Sequence, residues 1–138
     1  MEKRNVLFVM SSLRNGGAER SLVNLLQLLD YDRYNVDLLL FQNEGMFLKQ
    51  VPKAVNIISN CNKLYTLYDN NKAEALKHPY LSAVHMIGTF ISRKKTNSVA
   101  KSRQYRWEHF YKKIVPELTK EYDVAIAYMQ REQTYFLV

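Results

Sequence analysis

The sequence predicts an α/β protein with a Rossmann-like parallel sheet and helices on both faces. Residues 6–10 form a continuous apolar run, which is typical of a strand buried on both faces. A polar loop with two adjacent glycines follows, and a helical spacing of apolar residues begins directly after it. Further buried-type strands alternate with helical segments along the chain. This alternation favours parallel strands joined by crossovers.

The predicted strands span residues 5–10, 36–41, 55–58 and 123–128. The helix after the first strand should bury a stripe at helical spacing, formed by Ala18, Leu22, Leu25, Leu26 and Leu29. Loops at the carboxyl ends of parallel strands meet at one edge of a sheet. We therefore expect the loops at 11–17, 42–45, 59–63 and 129–133 to line a ligand crevice.

Residues 61–122 differ in kind, because they contain no buried-strand run. They are predicted to form a helical insertion with two apolar stripes that face the core. The first stripe comprises Tyr80, Ala83, Val84, Ile87 and Ile91, widened by Met86 and Phe90. The second comprises Trp107, Phe110, Tyr111, Ile114 and Leu118, and Pro116 should kink or restart its helix.

The positive charge of the chain is concentrated in this insertion. Residues 72–120 contain eleven Lys and Arg and three acids, a net charge of +8, whereas the whole chain carries +7. A basic surface with aromatic residues indicates contact with anionic lipid headgroups, and Arg93, Lys94 and Lys95 are the candidate contacts. Nucleic acid and a merely solvated helical face are the two alternatives.

Composition favours a cytoplasmic protein, with a peripheral position on the inner face of the membrane as a further expectation. Cys61 is the single cysteine, so no intrachain disulfide can form. No apolar run approaches the roughly 20 residues of a membrane helix. The three histidines, His78, His85 and His109, share no metal-ligand spacing, and we expect no metal site.

The loop with Gly16 and Gly17 has features of a phosphate-binding loop. It leads from a strand into a helix N-terminus, where free N–H groups and the helix dipole attract anions. Glycine permits unusual φ values and close approach of a ligand. The alternative is a tight turn without a ligand, and the pattern does not match a dinucleotide fingerprint. Glu19 would be a capping residue if Gly16 is the N-cap.

Residues 11–20 read Ser-Ser-Leu-Arg-Asn-Gly-Gly-Ala-Glu-Arg, and residues 22–26 read Leu-Val-Asn-Leu-Leu. Together with the preceding strand, this segment resembles the N-terminus of the family-four retaining glycosyltransferases, which have the GT-B architecture of two Rossmann-like domains. The resemblance covers nearly the whole chain but only one half of such an enzyme. It implies that Gly16 and Gly17 approach the phosphates of a nucleotide-sugar donor.

The resemblance also implies where the acceptor lies. The acceptor-side candidates are Ser12, Arg14, Asn15, Glu19 and Arg20 around the loop, with Tyr128, Gln130 and Glu132 across the crevice. Many relatives carry a histidine near the reacting sugar where this chain has Tyr128. No catalytic residue is assigned, and we favour Glu19 as a cap over Glu19 as a base.

The expected function is therefore that of a glycosyltransferase fragment in cell-surface glycan or polysaccharide synthesis. Residues 1–138 would form an incomplete acceptor-side domain, inactive alone, because the C-terminal donor-binding domain is absent. The expected partners are a nucleotide sugar and a glycan or lipid-linked acceptor, with no cofactor and no nucleic acid. The alternative is a non-catalytic α/β module whose basic helices bind nucleic acid or a protein.

Overall fold

The computed structural model describes residues 2–59, 67, 76–115, 118–129 and 132–137, with residues 132 and 133 described by their backbone. The chain divides into two compact units. We call residues 1–61 with 118–138 the sheet unit, and residues 62–117 the helical unit.

In chain order, the elements are β1 (Arg4–Met10), α1 (Gly17–Leu28), β2 (Tyr34–Leu40), a 3₁₀ turn (Leu48–Gln50), β3 (Asn56–Ile58), α2 (Pro79–Lys95), α3 (Val99–Arg106), a π-helical turn (Trp107–Tyr111), β4 (Val124–Ala127) and α4 (Glu132–Phe136). The strands form one sheet in the order β3-β2-β1-β4. Every pair is parallel, and Phe8 lies between Leu38 and Ile126. The predicted α/β, Rossmann-like fold, with a parallel sheet flanked by helices, is confirmed.

One face of the sheet packs against α1. Phe8 and Leu38 belong to the same buried cluster as Leu22 and Leu26 of the helix. The stripe predicted for α1 is right for these two leucines and wrong for Leu25, which is 38% exposed, while Val23 is buried. The buried face of α1 is therefore rotated slightly from the predicted stripe, toward Val23 and away from Leu25.

The two central strands are buried on their other face as well. Leu7, Val9 and Leu39 alternate with the residues that face α1, and all three are almost completely buried. The edge strand β4 is more open, since Val124 is 45% exposed. The continuous apolar runs therefore predicted two-sided burial correctly for β1 and β2.

The helical unit differs from the prediction in which face of α2 is buried. The buried residues of α2 are Leu81, Gly88 and Ser92. Five residues of the first predicted stripe or its widening are instead exposed, namely Tyr80 (70%), Ala83, Met86 (71%), Ile87 (54%) and Phe90 (63%). The prediction that this stripe faces the core is wrong for these residues.

Small and polar side chains explain the difference. The Ser92 hydroxyl lies 2.8 Å from the Ser102 hydroxyl of α3, and Arg106 Nη1 donates a hydrogen bond of 2.9 Å to Thr89 Oγ1. A Cβ added to Gly88 would lie 3.4 Å from the Phe110 ring, so the glycine allows close packing there. Hydrogen bonds and the small side chains of Gly88 and Ser92, rather than apolar character, therefore determine which face of α2 is buried.

The prediction of the second stripe is right for Trp107 and Tyr111, which are buried. Cys61, Pro116 and Gln130 lie outside the described residues, as does the loop at 59–63 beyond residue 59. Among the described helices, none has the length and apolarity needed to cross a membrane.

Candidate functional site

The candidate site lies at the carboxyl ends of β1 and β2, where residues 11–16 lead into α1 and residues 41–47 follow β2. Backbone hydrogen bonds join the two loops. Gln42 N–H donates to the Ser11 carbonyl (2.8 Å), and Leu13 N–H donates to the Glu44 carbonyl (3.0 Å). The predicted meeting of these two loops at one edge of the sheet is therefore observed.

The N-terminus of α1 has free space at the Cβ position of Gly17, whereas the Glu19 carboxylate occupies that of Gly16. Gly16 is the N-cap residue, and Arg20 N–H makes the first bond of the helix, to the Gly16 carbonyl (3.1 Å). The N–H groups of residues 17–19 thus have no acceptor within the helix. A Cβ added to Gly17 would meet nothing within 4 Å. These amides and the helix dipole make a local anion-attracting surface.

The glycines of this loop do not use the unusual φ values that glycine permits. Gly16 has φ −106°, and among the described residues only Gly45 has a positive φ, of 133°. Backbone strain therefore does not require glycine at position 16 or 17. At Gly17, the absence of a side chain leaves the space before the helix terminus open.

Glu19 occupies the capping position that the sequence predicted. It is the third helical residue after the Gly16 N-cap, and a Cβ added to Gly16 would collide with its carboxylate. A negative charge here stabilises the helix N-terminus. The same charge opposes an incoming phosphate, so an anionic ligand has to displace or outweigh it.

Gly45 is the glycine that the fold requires, and our sequence reasoning missed it. A Cβ at this position would overlap the backbone of Leu13 and Arg14. Phe47 N–H, two residues later, donates to the Leu13 carbonyl (3.2 Å). Gly45 thereby braces the loop that precedes α1. Its place in the loop after the second predicted strand was the available signal.

Arg14 is held within the loop pair. Its Nε lies 2.6 Å from Glu44 Oε1, and its Nη2 donates a hydrogen bond of 2.9 Å to Gln42 Oε1. Both side chains of the ion pair are about half exposed, so it contributes little to stability. Arg14 thus links the β1 loop to the β2 loop.

Tyr128 follows β4 and reaches α1. Its hydroxyl lies 2.8 Å from the Ser21 hydroxyl, and its N–H donates to the Val9 carbonyl (3.0 Å). Tyr128 thus joins the end of β4 to the helix that begins at the glycine loop. Ser21 is a polar residue of this region that sequence reasoning missed.

The remaining predicted site residues are distributed unevenly. Asn15 and Arg20 are exposed near the helix terminus, whereas Ser12 is buried at 9% exposure. Glu132 begins α4, and its side chain lies outside the description, as does all of Gln130. The structure therefore brings the β1 loop and the β2 loop together, and it joins Tyr128 to β1 and α1.

A buried carboxylate, Asp37, lies on the sheet face opposite α1 and was missed by the sequence reasoning. It accepts hydrogen bonds from Tyr122 Oη (2.7 Å), Lys120 Nζ (2.9 Å) and Asn56 Nδ2 (3.0 Å). Burial alone would raise the pKa of Asp37, but these hydrogen bonds and the Lys120 charge hold it below its ordinary value. The cluster fastens residues 118–123 to β2 and is structural.

The helical unit contains one partly buried histidine. His85 Nδ1 donates to the Leu67 carbonyl (2.5 Å) and lies 3.1 Å from Tyr111 Oη. Burial lowers the pKa of His85 although the Leu67 carbonyl opposes this, and the Arg106 charge lowers it further. The described residues contain no group of three or more His, Cys, Asp and Glu able to hold a metal ion.

The fold and the loop pair define the class of protein as a Rossmann-like α/β protein with an open helix N-terminus at the carboxyl edge of its sheet. Comparisons with family models, curated proteins and solved structures found no match.

Proposed function

We propose that this chain is the acceptor-side domain of a nucleotide-sugar-dependent, retaining glycosyltransferase. The observation that carries the proposal is the open α1 N-terminus at Gly17, placed at the carboxyl edge of a parallel sheet. Ligands of doubly wound folds bind at this edge. The resemblance of residues 11–26 to family-four enzymes supplies the reaction class.

In this reaction, the bond between the anomeric carbon of the sugar and the diphosphate oxygen breaks. A new bond forms to an acceptor hydroxyl, and the proton of that hydroxyl passes to the departing diphosphate. Negative charge builds on the departing diphosphate, and amides fixed before the reaction stabilise it without reorganising. The N–H groups of residues 17–19 would supply this stabilisation. In this proposal Glu19 caps the helix and does not act as a base.

The fixed loop pair supports this role. Gly45 and the Leu13–Glu44 hydrogen bond hold the β1 loop in place before any ligand arrives. Preorganised groups lose less entropy on binding. Asn15 and Arg20 are exposed near the start of α1 and Tyr128 follows β4, and we propose that these three side chains contact the acceptor. The nucleotide sugar is a co-substrate, and a second domain would supply the rest of its pocket.

We further propose that the acceptor is lipid-linked and that the protein docks on an anionic membrane surface in the cytoplasm. The supporting observation is the outer face of α2, where Met86, Ile87 and Phe90 are exposed. Arg93, Lys94 and Lys95 are exposed in the last turn of the same helix, and Lys94 Nζ lies 4.5 Å from the centre of the Phe90 ring. Apolar and basic residues in this order are typical of interfacial helices.

The test is sugar transfer by an enzyme with both domains, carrying Gly17→Val. Because the added side chain meets open space and Gly17 has no positive φ, the fold should survive. The valine should obstruct the approach of the diphosphate and reduce kcat/KM by about 100-fold or more, in the range seen when transition-state donors are removed. Circular dichroism controls for folding. A folded variant with unchanged rate and donor KM would contradict the proposal.

A further inference from the structure

A cleft in the helical unit, between the end of α2 and the start of α3, has a volume of about 390 Å³. Its polar lining includes Arg93, Asn97, Ser98, Arg103 and Arg106. Three arginine residues therefore line one small cleft. This is an uncommon concentration of like charge, and it raises the question of which anion the cleft accepts.

The lining of the cleft contains no acidic residue. The sequence from 75 to 107 contains no Asp or Glu, so neither α2 nor α3 carries a carboxylate. Lys94, Lys95 and Lys101 lie in the same two helices and add to their net positive charge. A concave surface lined by one sign of charge concentrates counter-ions of the opposite sign.

Arg106 is partly fixed and has an unused donor. Its Nη1 donates to Thr89 Oγ1 (2.9 Å), which restrains the guanidinium plane. Its Nε is buried and has no hydrogen-bond partner in the described part of the chain. A buried donor without an acceptor costs about 1–3 kcal/mol, and such groups in native proteins call for an explanation.

The start of α3 adds to the attraction. Ser98 is the N-cap residue, and its Oγ accepts a hydrogen bond from Lys101 N–H (3.2 Å). This places the positive end of the helix dipole at the residues that line the cleft. Asn97 supplies a further side-chain donor from the lining.

We propose that this cleft binds a phosphate group. Arginine matches phosphate oxygens with paired donors, and several guanidinium groups suit a dianion with oxygens on all sides better than a single carboxylate. The lining contains no aromatic ring on which a nucleobase could stack. The ligand is thus a phosphate ion or phosphomonoester, from solution or from a lipid headgroup. The site does not depend on the proposed sugar transfer.

The test is a titration of the whole chain with inorganic phosphate, followed by the amide chemical shifts of residues 96–106. The wild-type protein should show saturable shifts. Arg93→Gln and Arg103→Gln should each weaken binding about tenfold, as expected for loss of a hydrogen bond to a charged group. Arg103→Lys should recover part of the loss. Lys101→Gln is the matched control, and it should change the affinity less than twofold.

The source of the phosphate is distinguished with vesicles of phosphatidylcholine containing phosphatidic acid. Displacement of the chain from these vesicles by free phosphate, and loss of vesicle binding in Arg103→Gln, would support the site with a lipid headgroup as its ligand. Saturable phosphate binding without such competition would support the site with a soluble phosphate. Absence of saturable shifts, or equal weakening by Lys101→Gln and Arg103→Gln, would overturn the proposal.

Discussion

The sheet unit and the helical unit are stabilised by different kinds of contact. The central strands of the sheet unit bury Leu7, Leu38 and Leu39 almost completely. In the helical unit, α2 meets α3 through the Ser92–Ser102 and Arg106–Thr89 hydrogen bonds, while Ile87 and Phe90 remain exposed. Helix α1 is thus fixed to the sheet by apolar burial, whereas α2 is joined to α3 by hydrogen bonds and leaves large apolar side chains exposed.

The largest expected effect is a core truncation in the sheet unit. Leu38→Ala removes a fully buried side chain from the α1-facing cluster and should lower the free energy of unfolding by about 3 kcal/mol. Ile87→Ala, the matched truncation on the outer face of α2, should change it by less than about 0.5 kcal/mol. Urea unfolding measures both. Similar losses of stability in the two variants would show that the outer face of α2 is packed as tightly as the core of the sheet unit.

Gly45→Ala should cost about 2–3 kcal/mol, because alanine disfavours a φ of 133° and its Cβ would overlap the Leu13 backbone. Gly17→Ala is the control, and it should be nearly neutral since its Cβ would enter open space. Thermal and urea unfolding of the two variants provide the measurement. Equal stability of both variants would show that Gly45 does not brace the loop.

Acid should destabilise the sheet unit through Asp37. Its pKa is lowered in the folded state, so its stabilising contribution is complete above the unfolded pKa of about 3.9 and is lost as the pH falls through the folded value. Asp37→Asn should lower stability at pH 7 by about 2 kcal/mol and flatten the pH dependence below pH 4. An unchanged acid limb in the variant would exclude Asp37 as its source.

The smallest effect concerns the exposed face of α2. Lys94→Ala should weaken binding to vesicles with anionic lipid by about 1 kcal/mol, or about fivefold, and added salt should weaken it further. Lys49→Ala, an exposed lysine of the sheet unit, serves as the charge-matched control. Sedimentation with neutral vesicles gives the baseline. Equal recovery in the supernatant with and without anionic lipid would remove the membrane proposal.

The sequence predicted the sheet well because its central strands are continuous apolar runs, and two-sided burial leaves no choice of face for Leu7 or Leu39. The buried face of α2 could not be read in the same way. Gly88 and Ser92 are buried there by close packing and hydrogen bonding, which an apolar stripe does not reveal.

The candidate site was predicted in part. The loop at Gly17 follows from the order of strand, glycine and helix, and Glu19 follows from capping rules. The contacts of Gly45 with Leu13 and of Tyr128 with Ser21 join residues that are distant in sequence. Local sequence patterns cannot predict such pairs. The partners of buried Asp37 were hidden for the same reason.

The central claim is that the amides at the start of α1 receive the phosphates of a nucleotide. The most direct measurement is titration of the chain with uridine and guanosine diphosphate while the amide shifts of Gly17, Ala18 and Glu19 are followed. We expect saturable shifts at these three residues for at least one nucleotide, and their loss in a folded Gly17→Val variant. Shifts confined to other residues, or binding unchanged by Gly17→Val, would contradict it.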